Sequence, residues 1–291
     1  MPVAFDIGDC IRAPGKLVLA GEYSVIDGGP AIVLAINRGV QCTIKNGQGL
    51  HTPNGDTRFV DVLHKASLTK HFEFQNWNEV ELGDGFKPGF GGSAAACVVA
   101  CAIAGHPLNQ AQELHHSIQG SGSGIDVISS IHGGMLRFEN QEITVLPPIK
   151  PVVIWTGQSA KTGPRVEQYL QYQYRSDFVK NSTELVNAFI EDPIESSTAL
   201  YQLLVEMSQE TGIAYRSPVI EEIHKLAKQY GGSAKPSGAG GGDCMVAFFP
   251  DIQCELEFSK KIAEHPIAQI IPIEISLGVH CVNPIGAIQK L

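Results

Sequence analysis

The sequence predicts an α+β protein of two domains, residues 1–150 and 151–291. Three observations carry that expectation. The chain has 291 residues, 43% of them apolar, too long for one small module and suited to two domains of roughly 100–200 residues each. Short strand-like runs fill the first third while helical periodicities dominate the second half, in mixed order rather than as a repeating βαβ array. Pro147, Pro148 and Pro151 lie between the two regions and interrupt regular structure.

Apolar runs at 16–20, 31–36, 40–44, 58–63 and 71–74 read as strands, separated by turn signals such as Asp27-Gly28-Gly29-Pro30 and Pro53-Asn54-Gly55. Helices are expected over 93–104 and about 108–119, with a short one after Asp126. Strands follow at 143–146 and 152–155. Helical patterns then run over about 164–175, 178–191 and 195–211, and another spans Ser217 to Tyr230. In that last one Ser217 suits the N-cap and Pro218 the first turn, and Val219, Ile220, Ile223, Leu226 and Ala227 form an apolar stripe before Gly231. Strands at 244–249, 270–275 and 279–282 complete the reading.

Composition excludes several classes of function. The longest apolar runs, 31–36 and 94–104, fall well short of the ~18–20 residues that cross a bilayer, so no membrane partner is expected. The N-terminal stretch carries Asp6 and Asp9 and has no basic start, which argues against a secretory signal. Seven cysteines with no Cys-x-x-Cys pair read as reduced, buried thiols of a cytoplasmic protein. A net charge of −9 without a basic block argues against nucleic acid, but a small anionic substrate needs only a local positive pocket. A monomer or homodimer is expected.

Glycine is the informative residue. Of 31, five lie in 83–92, five in 120–134 and six in 231–242, which is not the pattern of one flexible linker. Lys87-Pro-Gly-Phe-Gly-Gly-Ser93 opens into a run without Gly or Pro, so a glycine turn leads into a helix N-terminus. Such an end presents unpaired N–H groups and a positive dipole to a phosphate, and the Ser93 hydroxyl could reach Mg²⁺ or the phosphate. The same pattern also fits a buried helix after a turn. No G-x4-G-K-[S/T] is present, and Gly89-x-Gly91-x-x-Ala94 is not preceded by an apolar strand, which weakens a dinucleotide reading. In Gly120-Ser-Gly-Ser-Gly-Ile-Asp126 the aspartate is either an N-cap or a positioned acid. Lys235-Pro-Ser-Gly-Ala-Gly-Gly-Gly-Asp-Cys244 precedes a strand, where close approach of backbone to a ligand is expected. Lys16, in Arg12-Ala-Pro-Gly-Lys16-Leu-Val-Leu-Ala-Gly-Glu-Tyr23, is a cation at the start of an apolar strand.

In order along the chain, APGKLVLAGEY, KPGFGGSAAA, GSGSGIDV and KPSGAGGGDC resemble the motifs of the GHMP kinase superfamily, and within it the phosphomevalonate kinases. The first motif ends in Gly-Glu-Tyr as in that branch, and Trp155-Thr156-Gly157-Gln-Ser-Ala160-Lys-Thr162 resembles another of its segments. The resemblance implies a two-domain fold, the N-terminal part like domain 2 of ribosomal protein S5 and the C-terminal part ferredoxin-like. It implies an ATP- and Mg²⁺-dependent transfer to 5-phosphomevalonate, with mevalonate kinase, another small-molecule kinase of the superfamily or a non-catalytic nucleotide-binding relative as alternatives.

It also implies residue roles. Lys16 would stabilise the transferring phosphoryl group and Asp126 would orient or deprotonate the acceptor. Gly89, Gly91, Gly92, Ser93 and Ala94 would wrap the ATP phosphates, with Ser93 as the metal ligand. Ser123, Gly238, Ala239 and Gly240 would hold the substrate, and Lys161, Arg165 and Lys235 are candidate cations for a phosphorylated acceptor. The second motif departs from the usual Gly-Leu-Gly-Ser-Ser-Ala at Phe90 and Gly92. Where mevalonate kinases carry a metal-binding Glu upstream of the aspartate, the chain reads Glu113-Leu-His115-His116, and imidazole is a poor ligand for a hard cation.

Overall fold

A long antiparallel pair, β1 (Cys10–Ala20) and β2 (Ala31–Lys45), is the spine of the molecule. The two runs expected at 31–36 and 40–44 are thus one strand. The computed structural model describes residues 4–65, 70–79, 88–120, 122–160 and 162–291, with the backbone alone at 64–65. Around the spine β3 (Gly49–His51), β4 (His71–Trp77), β5 (Met135–Glu139) and β6 (Glu142–Leu146) build one sheet. Its helices are α1 (Val62–Lys65), α2 (Gly92–Ala104), α3 (Gln110–Gln119) and α4 (Ile125–His132).

A second, four-stranded antiparallel sheet follows, ordered β10-β7-β9-β8, from β7 (Val152–Trp155), β8 (Ser233–Pro236), β9 (Cys244–Phe248) and β10 (Gln269–Ile270). With it go α5 (Thr162–Leu170), α6 (Arg175–Ala188), α7 (Pro193–Thr211), α8 (Pro218–Gln229) and α9 (Ile252–Ala263). The chain then returns, and β11 (His280–Val282) and β12 (Ile288–Lys290) extend the first sheet beside β1. We propose a division into two units near residue 150, where the chain changes sheet, with these last strands belonging to the first unit.

Residues 58–63 are not the expected strand. They form a 3₁₀ turn, Arg58–Val60, running into α1. Val60 and Leu63, three apart and each 1% exposed, share one core, which is helical rather than strand periodicity. The segment expected as a strand over 270–275 keeps only β10 and a single bridge from Ile275 to Ile36. At α8 the expectation holds in detail: Ser217 Oγ accepts from Ile220 N at 3.3 Å and Pro218 opens the helix. The sequence reading passed over α9, which buries only Phe258 and Ile262 and leaves Ile252 and Leu256 exposed.

Between Pro14 and Gly15 the register against β2 jumps from Pro14↔Gly39 to Gly15↔Ile36, looping out Asn37 and Arg38. Before the break Ile11 and Ala13 pack under α2 with Val98 and Cys101. Beyond it Leu17 and Leu19 face the second sheet, against Val153, Trp155, Val246 and Phe248. Ile11, Ala13, Leu17 and Leu19 are alternate residues of one strand and lie on one face of β1, covered by α2 in its first half and by the second sheet in its second half. Lys16 and Val18, at the intervening positions, line a cavity on the other side.

His224 and His280 are buried and lie against backbone carbonyls, Nδ1 at 2.7 Å from Ala234 O and 2.8 Å from Gly278 O. Burial holds both below the ordinary histidine value of 6.5. The unfolded chain therefore takes up protons first as pH falls, so their contribution is complete above about pH 6.5 and is lost on acidification. The thermal midpoint is expected to fall steadily from pH 7 to pH 5, and to fall less in His224→Gln, as measured by calorimetry.

Candidate active site

The site is assembled on the break in β1. Lys16 N donates to Phe90 O at 2.9 Å, so the glycine turn before α2 rests directly on the strand. Gly15 permits this: a methyl group there would lie 2.3 Å from Arg38 O and 2.6 Å from Phe90 O. Gly89 (φ +73°) and Gly91 (φ +76°) shape the turn, and Gly91 stands at the N-cap position of α2 with no side-chain cap. The first amides of that helix keep no capping partner, the arrangement that receives anions.

Lys16 and Asp126, 110 residues apart in sequence, meet across this turn. A methyl group on Gly91 would lie 3.3 Å from Asp126 Cβ and 3.5 and 3.6 Å from Lys16 Cγ and Cε. Lys16 Nζ donates to Gly89 O at 3.1 Å. Asp126 stands in the first turn of α4 and accepts from Val127 N at 3.0 Å. It does not serve as the N-cap, since Gly124 holds that position.

Ser93 Oγ lies 3.1 Å from His115 Nε2 of α3. Burial lowers the pKa of His115, Asp126 opposes that shift and His116 adds to it, so a neutral ring accepting the Ser93 hydroxyl proton fits the geometry. His115 is buried and His116 exposed, on different sides of α3. Ala94 has its side chain in the core and offers only backbone. Among the described residues no group of three or more His, Cys, Asp and Glu could hold a metal ion by itself. Ser93 and Asp126, oxygen donors beside the turn, suit a hard cation whose other ligands come from phosphates.

The third glycine cluster closes the site from the second sheet. Ser237 Oγ accepts from Val18 N at 2.8 Å, and Tyr23 donates its hydroxyl to Ala239 O at 2.7 Å. Gly238 and Ala239 line the cavity with Ser123. Gly240 turns away: a methyl group there would strike the Tyr215 ring at 2.1 Å. Lys235 is no substrate cation. Its side chain is 0% exposed and paired with Glu22, at an edge strand of the second sheet that packs against α7 and α8. Arg165 lies behind the cluster, donating to Ala214 O at 3.5 Å. Lys161 lies outside the described residues.

Asp243 carried no role in the sequence reading. Its Oδ1 accepts from Ala160 N at 2.9 Å, Thr156 Oγ1 donates to its carbonyl at 2.8 Å, and its Oδ2 bears on Gly89, where a methyl group would lie 2.5 Å away. Burial raises its pKa, while the bond from Ala160 and the charges of Lys16 and Arg165 pull it back. It therefore ties Thr156 and Ala160 to the glycine turn before α2. The only signal in the sequence was its position inside a glycine run.

These walls enclose a cavity of about 1280 Å³, above the ~300–1,000 Å³ of a site for one small ligand. Its lining includes Arg58, Phe59 and Trp77, Tyr23, Ile26 and Val166, together with Lys16, Gly91 and Asp126.

Residues 188–255 match the family model described as GHMP kinases C terminal. The chain is 22% identical to the phosphomevalonate kinase of Streptomyces sp. (strain CL190), over 91% of its own length and 96% of that protein. It is 27% identical to the mevalonate kinase of Archaeoglobus fulgidus, over 81% and 91%. The fold matches the Streptococcus pneumoniae phosphomevalonate kinase solved with phosphomevalonate and AMPPNP at a TM-score of 0.72, with 18% identity over 92% of this chain and 99% of that one. With its four motifs gathered around one cavity, the chain carries a match to the C-terminal part of the GHMP kinases and is similar, along most of its length, to small-molecule kinases of that superfamily, phosphomevalonate kinases among them.

Proposed function

We propose that this chain transfers the terminal phosphoryl group of ATP to the phosphate of 5-phosphomevalonate, giving 5-diphosphomevalonate and ADP. The observation that carries the reading is the meeting of Lys16, Asp126 and the uncapped start of α2 around Gly91, in a cavity with room for a nucleotide and a second small molecule. Phosphoryl transfer asks the protein mainly to align donor and acceptor and to balance charge. In this reading the nucleotide phosphates lie on the amides of residues 91–94. Lys16 leaves the Gly89 carbonyl to meet charge on the transferring group.

An acceptor oxygen attacks the γ-phosphorus as the bond to the ADP oxygen breaks. A phosphate monoester, with a second pKa of about 6, has already lost its proton at neutral pH, so Asp126 then serves chiefly to orient the acceptor. A hydroxyl acceptor would need Asp126 as the base. Mg²⁺ would be held by the nucleotide phosphates with Ser93 and Asp126, and would offset phosphate charge. Ser123, Gly238 and Ala239 lie on the cavity wall and would bound the acceptor; Lys161 would supply charge for its phosphate, and Arg165, set back behind the third glycine cluster, would add to the positive potential there. Seven free thiols support a reducing, cytoplasmic setting.

A second reading, mevalonate kinase, is favoured by relatives such as that of Archaeoglobus fulgidus. Coupled assay of ADP release over a panel of 5-phosphomevalonate, mevalonate, homoserine and galactose decides between them. Turnover is expected with 5-phosphomevalonate, and turnover with mevalonate alone would install the second reading. Binding of an ATP analogue without turnover on any acceptor would favour a non-catalytic role. Lys16→Ala and Asp126→Ala are each expected to lower kcat by 10²-fold or more, about 2.7 kcal/mol, with little change in thermal midpoint. Gly91→Val is expected to abolish turnover while the protein still folds, because its side chain would enter the gap between Lys16 and Asp126.

A further inference from the structure

Lys235 and Glu22 form an ion pair sealed from solvent, with side chains 0% and 1% exposed. Lys235 Nζ also donates to Pro236 O at 3.1 Å. The pair is poorly satisfied for its depth: Glu22 Oε2 has no partner, nor has the hydroxyl of Tyr215, whose ionisation is opposed by burial first and by Glu22 next. Burial lowers the pKa of Lys235, with Glu22 acting against that shift. A buried pair of this kind is a poor source of stability, since well-packed apolar side chains of similar volume often do as well or better. What it does instead follows from its place.

Three contacts join the segment 18–23 to the segment 235–239: Ser237 Oγ with Val18 N, the Tyr23 hydroxyl with Ala239 O, and Lys235 with Glu22. The third is the most deeply buried of them, with Glu22 at the cavity wall and Lys235 behind it, and it adjoins Tyr23, a non-glycine residue at φ +60°. An apolar contact could slide by a residue without losing much, whereas a charge pair in a dry site has one register. We propose that the Glu22–Lys235 pair is a positioning device that sets the third glycine cluster against the strand carrying Lys16, so that Ser237, Gly238 and Ala239 face the transferring group. Neither residue touches the reactants in this role. The proposal rests on the kinase reading for its consequence in catalysis, but its geometric content stands apart from it.

The test compares Lys235→Met, Glu22→Gln and the double variant by thermal midpoint, by amide hydrogen exchange and by steady-state kinetics. Lys235→Met alone leaves a carboxylate buried without its cation, and its midpoint is expected to fall by several degrees. The double variant is expected to regain the wild-type midpoint to within a few degrees. It is still expected to exchange the amides of 18–23 and 237–242 at least 10-fold faster than wild type while α2 and α7 keep their protection. Its kcat is expected at least 10-fold below wild type, with KM for ATP within about 3-fold. A stable double variant with wild-type exchange or wild-type kcat overturns the proposal. A double variant that does not fold overturns it as well, because the pair would then be a plain element of stability. Should the wild-type protein turn over no acceptor, the kinase reading fails, and the exchange pattern alone decides the role of the pair.

Discussion

The turn at residues 88–91 rests on the backbone of β1, and the distances leave no room for a side chain between them. Lys16 N to Phe90 O, at 2.9 Å, is the bond on which the rest of the site depends. It requires Gly15 to be glycine and the β1–β2 register to break at that residue. Beyond the break one face of β1 packs Leu17 and Leu19 against the second sheet, and the alternate face carries Lys16 into the cavity. One strand thus couples the packing of two sheets to the placement of a cation. Its strength lies in the core on either side, which makes any slip of register costly.

Around that bond the site is built from glycine for a geometric reason. A phosphate held by helix amides must come closer to the backbone than a Cβ allows, and the turn that delivers it needs φ near +75° at Gly89 and Gly91. The polar side chains then enter from four separate stretches. Lys16 comes from β1, Ser93 from α2, Asp126 from α4 and Asp243 from the loop before β9. Each is held by a backbone bond, a close neighbour or a buried partner before any ligand arrives, which is the preorganisation that charge stabilisation requires. At His115 burial favours the neutral ring, which lies 3.1 Å from the Ser93 hydroxyl and can accept its proton.

Much of the fold was legible where local rules are strong. The α8 helix was readable because Ser217, Pro218 and Gly231 mark its ends and an apolar stripe marks its face. The 58–63 segment was misread because its apolar residues are too few to show a period, and only the common core of Val60 and Leu63 reveals the helical spacing. The short strands β8 and β12 carry almost no local signal. Ser233–Pro236 contains a lysine and a proline, and becomes a strand because β9 lies beside it. For the site, the glycine runs with Lys16 and Asp126 stood out. Asp243 and Glu22 did not, since nothing local separates a carboxylate at a surface from one at a motif junction.

By itself the sequence determined the residue types that can handle a phosphate: glycines where backbone must approach, one lysine on an apolar strand, one aspartate at the start of a helix. It did so because those demands are local, set by φ, by the absence of Cβ and by charge. Only the tertiary structure decided which of these residues meet. It brought Lys16 and Asp126 to either side of Gly91, sent Gly240 against Tyr215, and removed Lys235 from the candidate cations by burying it on Glu22. The physical reason is that a lysine's role is fixed by what surrounds its ammonium group, and here its partner lies 213 residues away in the chain.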